Sequence, residues 1–275
     1  MNTTSATYLV PVDFTPASVS AIRFAIDLSK NEADEIVLLH VIKSDRERHQ
    51  TELTMQGFAA EHASDYKGKL TTKIIEGALT QEIEEAVKIL GIDLVVLCTH
   101  CITGLGKVFR SHAFKIVEDI SVPLIIVQKE TVFQNIKKIM MTIDLERESV
   151  QIVRMAANLA KMFNSEIILV AKEHKDADFK HRQDINLAVC RKVLQEHNIA
   201  HRFILVDGND FIGNIFKLSQ EEKIDLLAAT YYQQHVHIFT ESFVQTLAYN
   251  DFHIPLLTMD EESTHRGTQF GAMWG

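Results

Sequence analysis

The chain is 275 residues long, 46% hydrophobic and 24% charged, which supplies the apolar material for folded cores and excludes intrinsic disorder. Eleven glycines and four prolines are too few for collagen-like, linker-rich or many-turned all-β architectures. A formal net charge of −9, with no Lys/Arg run longer than Lys137-Lys138, argues against bulk binding to nucleic acid or to an anionic membrane, and leaves room for a small phosphate pocket.

The elements alternate from the start. Tyr8-Leu9-Val10-Pro11-Val12 is a short apolar run that predicts a strand ending at the turn and helix-start cluster Asp13-Phe14-Thr15-Pro16. Val19, Ile22 and Ile26 follow at helical spacing, with Ser18 as a cap near the helix start. Ile36–Ile42 is a continuous β-rich run, as expected of a strand covered on both faces. A polar helical segment over Gln50–Gly68 precedes a strand over Thr71–Glu76 and a helix over Thr80–Leu90. A strand over Leu94–Cys98, a loop, a helix over Ser111–Asp119 and a strand over Leu124–Val127 complete the set. Five strands separated by helices imply an α/β fold with a mostly parallel sheet between helical layers. Ligands in such folds sit beyond the carboxyl ends of the strands, where Asp13 and the Cys98–Gly106 loop both lie.

The sequence then repeats. At a shift of 131, Ser18-Val19 falls on Ser149-Val150, Arg23 on Arg154, Ala25 on Ala156 and Leu28 on Leu159. Lys30 falls on Lys161, and Glu35-Ile36 on Glu166-Ile167. At a shift of 132, Ile92-Asp93-Leu94 meets Ile224-Asp225-Leu226, and Pro123-Leu124 meets Pro255-Leu256. A near-constant shift over a hundred positions marks a duplicated domain, far longer than a solenoid repeat. The expected organisation is a first repeat over 1–130, a second over 131–260 and a tail over 261–275.

Several of these residues together resemble the universal stress protein family: Val10-Pro11-Val12-Asp13 at the first strand end, Leu39-His40-Val41 at the second, and Cys98-Thr99-His100-Cys101-Ile102-Thr103-Gly104-Leu105 after the fourth. Ser111 and Ser121-Val122-Pro123 complete the pattern. The resemblance implies two tandem five-stranded domains of Rossmann-like, flavodoxin-like layers with strand order 3-2-1-4-5, pairing through their last strands. It also implies a stress-response role. Some members of the family bind ATP through G-x-x-G, nine residues, then G-(S/T). Glycines there let backbone amides approach phosphate, and the following helix start favours negative charge. Carried over by position, the resemblance implies an ATP or AMP site in the first repeat built from Pro11, Asp13, Val41, Thr99, His100, Gly104 and Ser111.

The chain departs from that pattern at its glycines. Cys98 and Cys101 occupy the first two, and the third falls on Ser111 or Arg110. Their side chains crowd a triphosphate, while Lys107 and Arg110 offer charge in return. In the second repeat Asp144 keeps the carboxylate, but Thr142 and Lys172 stand at the positions of Pro11 and Val41, and the segment from Thr230 to Phe252 has no glycine. The second repeat is therefore expected to be a non-binding partner.

Other signals are weaker. Cys98-Thr99-His100-Cys101 has the form of a C-x-x-C motif, but Cys98 ends a buried strand instead of opening a helix, so small residues replacing glycine is the preferred reading. His235-x-His237 is the only suggestive histidine spacing after residue 150. Three cysteines give no disulfide framework, and the start of the chain has no secretory pattern, so a cytoplasmic protein is expected. No G-x-S-x-G, Walker A or G-x-G-x-x-G is present, and no metal site is expected. The chain is thus read as a non-enzymatic stress protein with a degenerate adenine-nucleotide site in the first repeat. The alternative is an adaptor that recruits an unknown protein through its surface or its C-terminal tail, Thr264–Gly275, which ends in Gln269-Phe270-Gly271-Ala272-Met273-Trp274-Gly275. Either a monomer with an internal pseudo-dimer or a homodimer fits.

Overall fold

The first apolar run forms β1 (Thr7–Pro11) in a computed structural model that describes residues 5–99, 109–146, 150, 152–232 and 241–260. It is followed by α1 (Pro16–Leu28), β2 (Glu35–Ile42), a 3-10 turn (Asp45–Glu47), α2 (Arg48–His62) and β3 (Lys69–Glu76). Next come α3 (Leu79–Leu90), β4 (Leu94–Cys98), α4 (Phe109–Asp119) and β5 (Leu124–Val127). The same series recurs as β6 (Lys138–Ile143), α5 (Ile152–Phe163), β7 (Glu166–Lys172), α6 (Ala177–Glu196) and β8 (His201–Val206). It closes with α7 (Phe211–Glu222), β9 (Leu226–Tyr231), α8 (Glu241–Ala248) and β10 (Leu256–Asp260). The chain divides into two compact units between Phe133 and Gln134. The tail 261–275 lies outside the described residues.

In the first unit the strands lie in the order β3-β2-β1-β4-β5, and in the second in the order β8-β7-β6-β9-β10. All these pairings are parallel. This is the 3-2-1-4-5 order, present in both units. The register reproduces the sequence shift. Ile36 pairs with Tyr8 and Leu70, while Ile167 pairs with Ile139 and His201, each partner lying 131 residues on. Ile125 pairs with Val96 and Leu257 with Ala228, a shift of 132.

Burial follows position in the sheet. Every residue of β4, β5, β9 and β10 is buried, as helices on both faces require. The outer strands β3 and β8 have no fully buried residue. Helix ends are set locally. Pro16 opens α1, where its missing N–H costs nothing. Gly91 closes α3 in the left-handed region, at φ 62°. Asn164 and Asn198 take the same conformation after α5 and α6.

The helical spacing of Val19, Ile22 and Ile26 falls within α1, whose buried side is Ala17, Ser18, Ala21, Ile22, Phe24, Ala25 and Leu28, and one sequence expectation there needs correcting. Ala21 and Ala25 let the helix approach the sheet closely, which turns Val19 and Ile26 to its flank. Ser18 does not cap a helix amide; its hydroxyl is used at the site described next.

Candidate functional site

β1 lies between β2 and β4, so the connections run outward in opposite directions from β1 and β4, and a crevice opens at their carboxyl ends. Pro11 pairs with Leu39 and Leu9 with Val95. Continuing that register brings Asp13 level with Val41 on one side and Thr99 on the other. Pro11 and Thr99 are buried, while Asp13 and Val41 are half-buried. Thr99 extends the ladder, donating its backbone N–H to Val127 O at 2.8 Å.

The carboxylate of Asp13 is held by its own neighbours. Its Oδ1 accepts from the Thr15 amide at 3.1 Å, the Thr15 hydroxyl at 2.5 Å and the Ser18 hydroxyl at 2.6 Å. The Ser18 hydroxyl in turn accepts the Asp13 N–H at 2.9 Å. This is an Asx-type turn, closed by a buried serine from the first turn of α1. The chain between them passes through Phe14 at φ 63°, a left-handed conformation that costs a residue with a Cβ about 1 kcal/mol or more. The ring of Phe14 lies 4.5 Å from that of His40 and 5.4 Å from that of Phe58. His40 Nδ1 is 2.8 Å from Val12 O, and because a carbonyl only accepts, Nδ1 carries the proton. Those contacts fasten the end of β1 to β2 on the face of the sheet opposite Val41.

The second unit treats the same level differently. Asp144 is only 4% exposed. Its Oδ1 accepts the Glu146 N–H at 2.8 Å, as Asp13 accepts that of Thr15, and also the hydroxyl of the fully buried Tyr232 at 3.2 Å. Asn186 reaches from α6 to donate to the carbonyls of Asp144 and Glu146 at 3.0 and 2.9 Å. Gln183, also on α6, donates to Lys172 O at 2.7 Å. The Lys172 stem lies against Gly208, where an added Cβ would fall 1.9 Å from its Cε. Side chains of the unit itself therefore occupy this strand-end position. His174, just beyond β7, has its pKa lowered by burial and then by the nearby Lys172 charge.

Of the residues expected to form a nucleotide site, the register places Asp13, Val41 and Thr99 at one strand-end level, with Pro11 two residues back along β1 beside Leu39. Ser111 lies in the first turn of α4. His100 and Gly104 lie outside the described residues, as do Cys101, Lys107, His235 and His237. Cys98 is buried as the last residue of β4, and Cys190 is buried in α6 with its thiol pushed up to about 12. Among the described residues no three His, Cys, Asp or Glu side chains group to hold a metal, and no helix is long and apolar enough to cross a membrane. Sequence reasoning missed Thr15 as a partner of Asp13, and Tyr232, Asn186 and Gln183 as the filling of the second unit. The tyrosine pair at the end of a buried strand, at the positions of Thr99 and His100, is the signal that was available.

Comparison with known proteins agrees with this architecture. Residues 7–128 match the model of the Universal stress protein family. No curated protein matches the chain. A universal stress protein from Archaeoglobus fulgidus DSM 4304 has the same fold, with a TM-score of 0.71 at 14% identity, over 93% of this chain and 98% of that one. A functionally unknown protein from Pseudomonas aeruginosa PAO1 superposes with a TM-score of 0.61 at 11% identity, over 95% of each chain. The fold thus extends over both units, while the sequence pattern of the family is carried by the first. The first unit, over residues 7–128, is the part of this chain that matches the universal stress protein family.

Proposed function

We propose that the chain acts in the stress response by binding and not by catalysis, with an adenine nucleotide, ATP or AMP, held in the first unit and the second unit serving as its closed partner. One observation carries this reading. The same acidic position is half-open at Asp13 and sealed beneath Tyr232 at Asp144. Val41 adds an apolar wall at the level of Asp13, suited to a base or ribose face, and Thr99 flanks it. The buried Cys98, standing where nucleotide-binding relatives are expected to have glycine, narrows the room for phosphates and makes the site weaker than an intact one. The buried Cys98 and Cys190, neither in a disulfide, suit a reducing cytoplasm.

The test is a calorimetric titration of the full chain with ATP, AMP and adenosine, set beside inorganic pyrophosphate. The expected result is binding that needs the adenosine part and weakens at least tenfold in Val41→Glu. Equal behaviour of Val41→Glu and the parent, or no heat with any adenine compound at several millimolar, overturns the reading. The latter result favours the adaptor alternative, in which the engagement of Asp13 by Thr15 and Ser18 is its whole role.

A further inference from the structure

The duplication has placed a cavity at the opposite, amino-terminal edge of each sheet, away from the strand-end site. In the first unit it has a volume of about 240 Å³ and lies between the end of α1 and the segment entering β3. In the second it has a volume of about 400 Å³ and lies between the ends of α5 and α6 and the starts of β6 and β7. The register relates the two at a shift of 131. Their charges differ. The first is lined by Lys30 and Lys67 against Glu32 and Asp65, with the buried carboxylate of Asp34 beside it accepting from Ser29. At the matching positions of the second unit, Glu32 gives way to Phe163 and Asp34 to Ser165. Ala6 and Thr7 give way to Lys137 and Lys138, while Lys30 is kept as Lys161. The larger cavity is therefore lined by Lys137, Lys138 and Lys161 against Glu166 alone, in a chain whose net charge is −9.

Local pairing removes some of that charge and leaves the rest. Lys138 Nζ bonds Glu222 at 3.0 Å, and Glu166 is held by Arg202 at 2.9 Å. Asp225 accepts the backbone amides of Lys137 and Lys138. The ammonium groups of Lys137 and Lys161 make no ion pair among the described residues. The carbonyl of Ala160 takes the Ser165 N–H and that of Leu194 takes the Ile199 N–H, both at 2.8 Å, in caps closed by the left-handed Asn164 and Asn198. Those two asparagines line the same cavity.

We infer that this pocket of the second unit binds a small phosphate-bearing anion, with Lys137 and Lys161 as its charge partners and the amides of Asn164 and Asn198 as neutral donors. Ammonium groups act as point charges toward tetrahedral phosphate, without the planar fork that selects carboxylates. The volume lies within the roughly 300–1,000 Å³ common for small-molecule sites. The site is independent of the nucleotide site of the first unit, and its ligand needs no base.

The experiment titrates the full chain with inorganic phosphate and pyrophosphate at constant ionic strength, with sodium chloride and acetate as controls. Pyrophosphate is expected to bind, to shift the side-chain amide resonances of Asn164 and Asn198, and to raise the unfolding temperature. Lys137→Gln/Lys161→Gln is expected to weaken it at least tenfold, whereas Lys30→Gln in the smaller cavity leaves it unchanged. Unmoved Asn164 and Asn198 resonances at 10 mM pyrophosphate overturn the inference, as does equal affinity in the double variant or an equal response to chloride. The resonance measurement uses the parent protein and decides the matter even if the double variant fails to fold. An Asp13-site failure is read separately, because Val41→Glu leaves this pocket intact.

Discussion

Ser18→Ala isolates the contact on which the candidate site is built. The hydroxyl is fully buried, donates to Asp13 Oδ1 at 2.6 Å and accepts the Asp13 N–H at 2.9 Å, so the substitution removes two hydrogen bonds and leaves a methyl group that fits. A hydrogen bond to a charged group contributes about 1.5–3 kcal/mol, and one between neutral groups about 1 kcal/mol. Asp13 is half-exposed and water can replace part of what is lost, so the expected cost is about 2 kcal/mol, below the simple sum. Urea unfolding followed by circular dichroism measures the total. Because the chain has two units, amide exchange must locate the loss, which belongs to β1 and α1 and not to the second unit. A double-mutant cycle with Asp13→Ala should show coupling of at least about 1 kcal/mol, since each residue is the other's partner. A cost below about 0.5 kcal/mol, or strict additivity with Asp13→Ala, refutes the claim that Ser18 positions the carboxylate.

Tyr232→Phe removes the phenol that bonds Asp144 but keeps the ring, so it should cost about 1–2 kcal/mol in urea unfolding and leave the position closed to ligands. Gly91→Ala meets no atom within 4 Å but must hold φ 62°, so its expected cost is about 1–2 kcal/mol, again read from urea unfolding. His174 has a folded pKa below its ordinary value of 6.5, so the unfolded chain binds its proton more readily. Its contribution is accordingly present above pH 6.5 and lost as pH falls toward the folded pKa. His174→Gln should flatten the stability profile over that interval, and an unchanged slope would remove burial of the neutral imidazole as its cause.

How much of this was legible in the sequence differs between strands, helices and the site. β4 and β5 fall on the expected Leu94–Cys98 and Leu124–Val127, because a strand covered on both faces is a continuous apolar run with polar punctuation at each end. The period of α1 was legible, but its face was not. Val19, Ile22 and Ile26 have helical spacing, yet the helix seats on the alanines at 21 and 25, and only packing against the sheet selects that side. Asp13 was legible as a strand-end carboxylate at the topological switch point. That Ser18 grips it instead of capping the helix depends on the left-handed turn at Phe14, for which the sequence has no glycine to serve as a flag.

The two carboxylates show why duplicated sites of one origin need not keep one role. Among the described residues, the side-chain hydrogen bonds of Asp13 come from two and five positions along the chain, so its own turn sets the group in place while it remains half-exposed. Asp144 keeps the local bond to Glu146, but its phenol partner lies 88 residues away just past the end of β9, and the amide that holds its carbonyl lies 42 residues away on α6. A buried carboxylate without such donors would cost several kcal/mol. At Asp144 the Glu146 amide and the Tyr232 phenol meet that need, Asn186 holds the backbone beside it, and Tyr232 and Asn186 occupy the strand-end position. Once Tyr232 and Asn186 are in place, restoring a binding site means removing buried groups that now hold the core together, a far larger step than restoring glycines to a loop. At Asp13 the turn made by Thr15 and Ser18 holds the carboxylate without burying it, so no such core groups would have to be removed there.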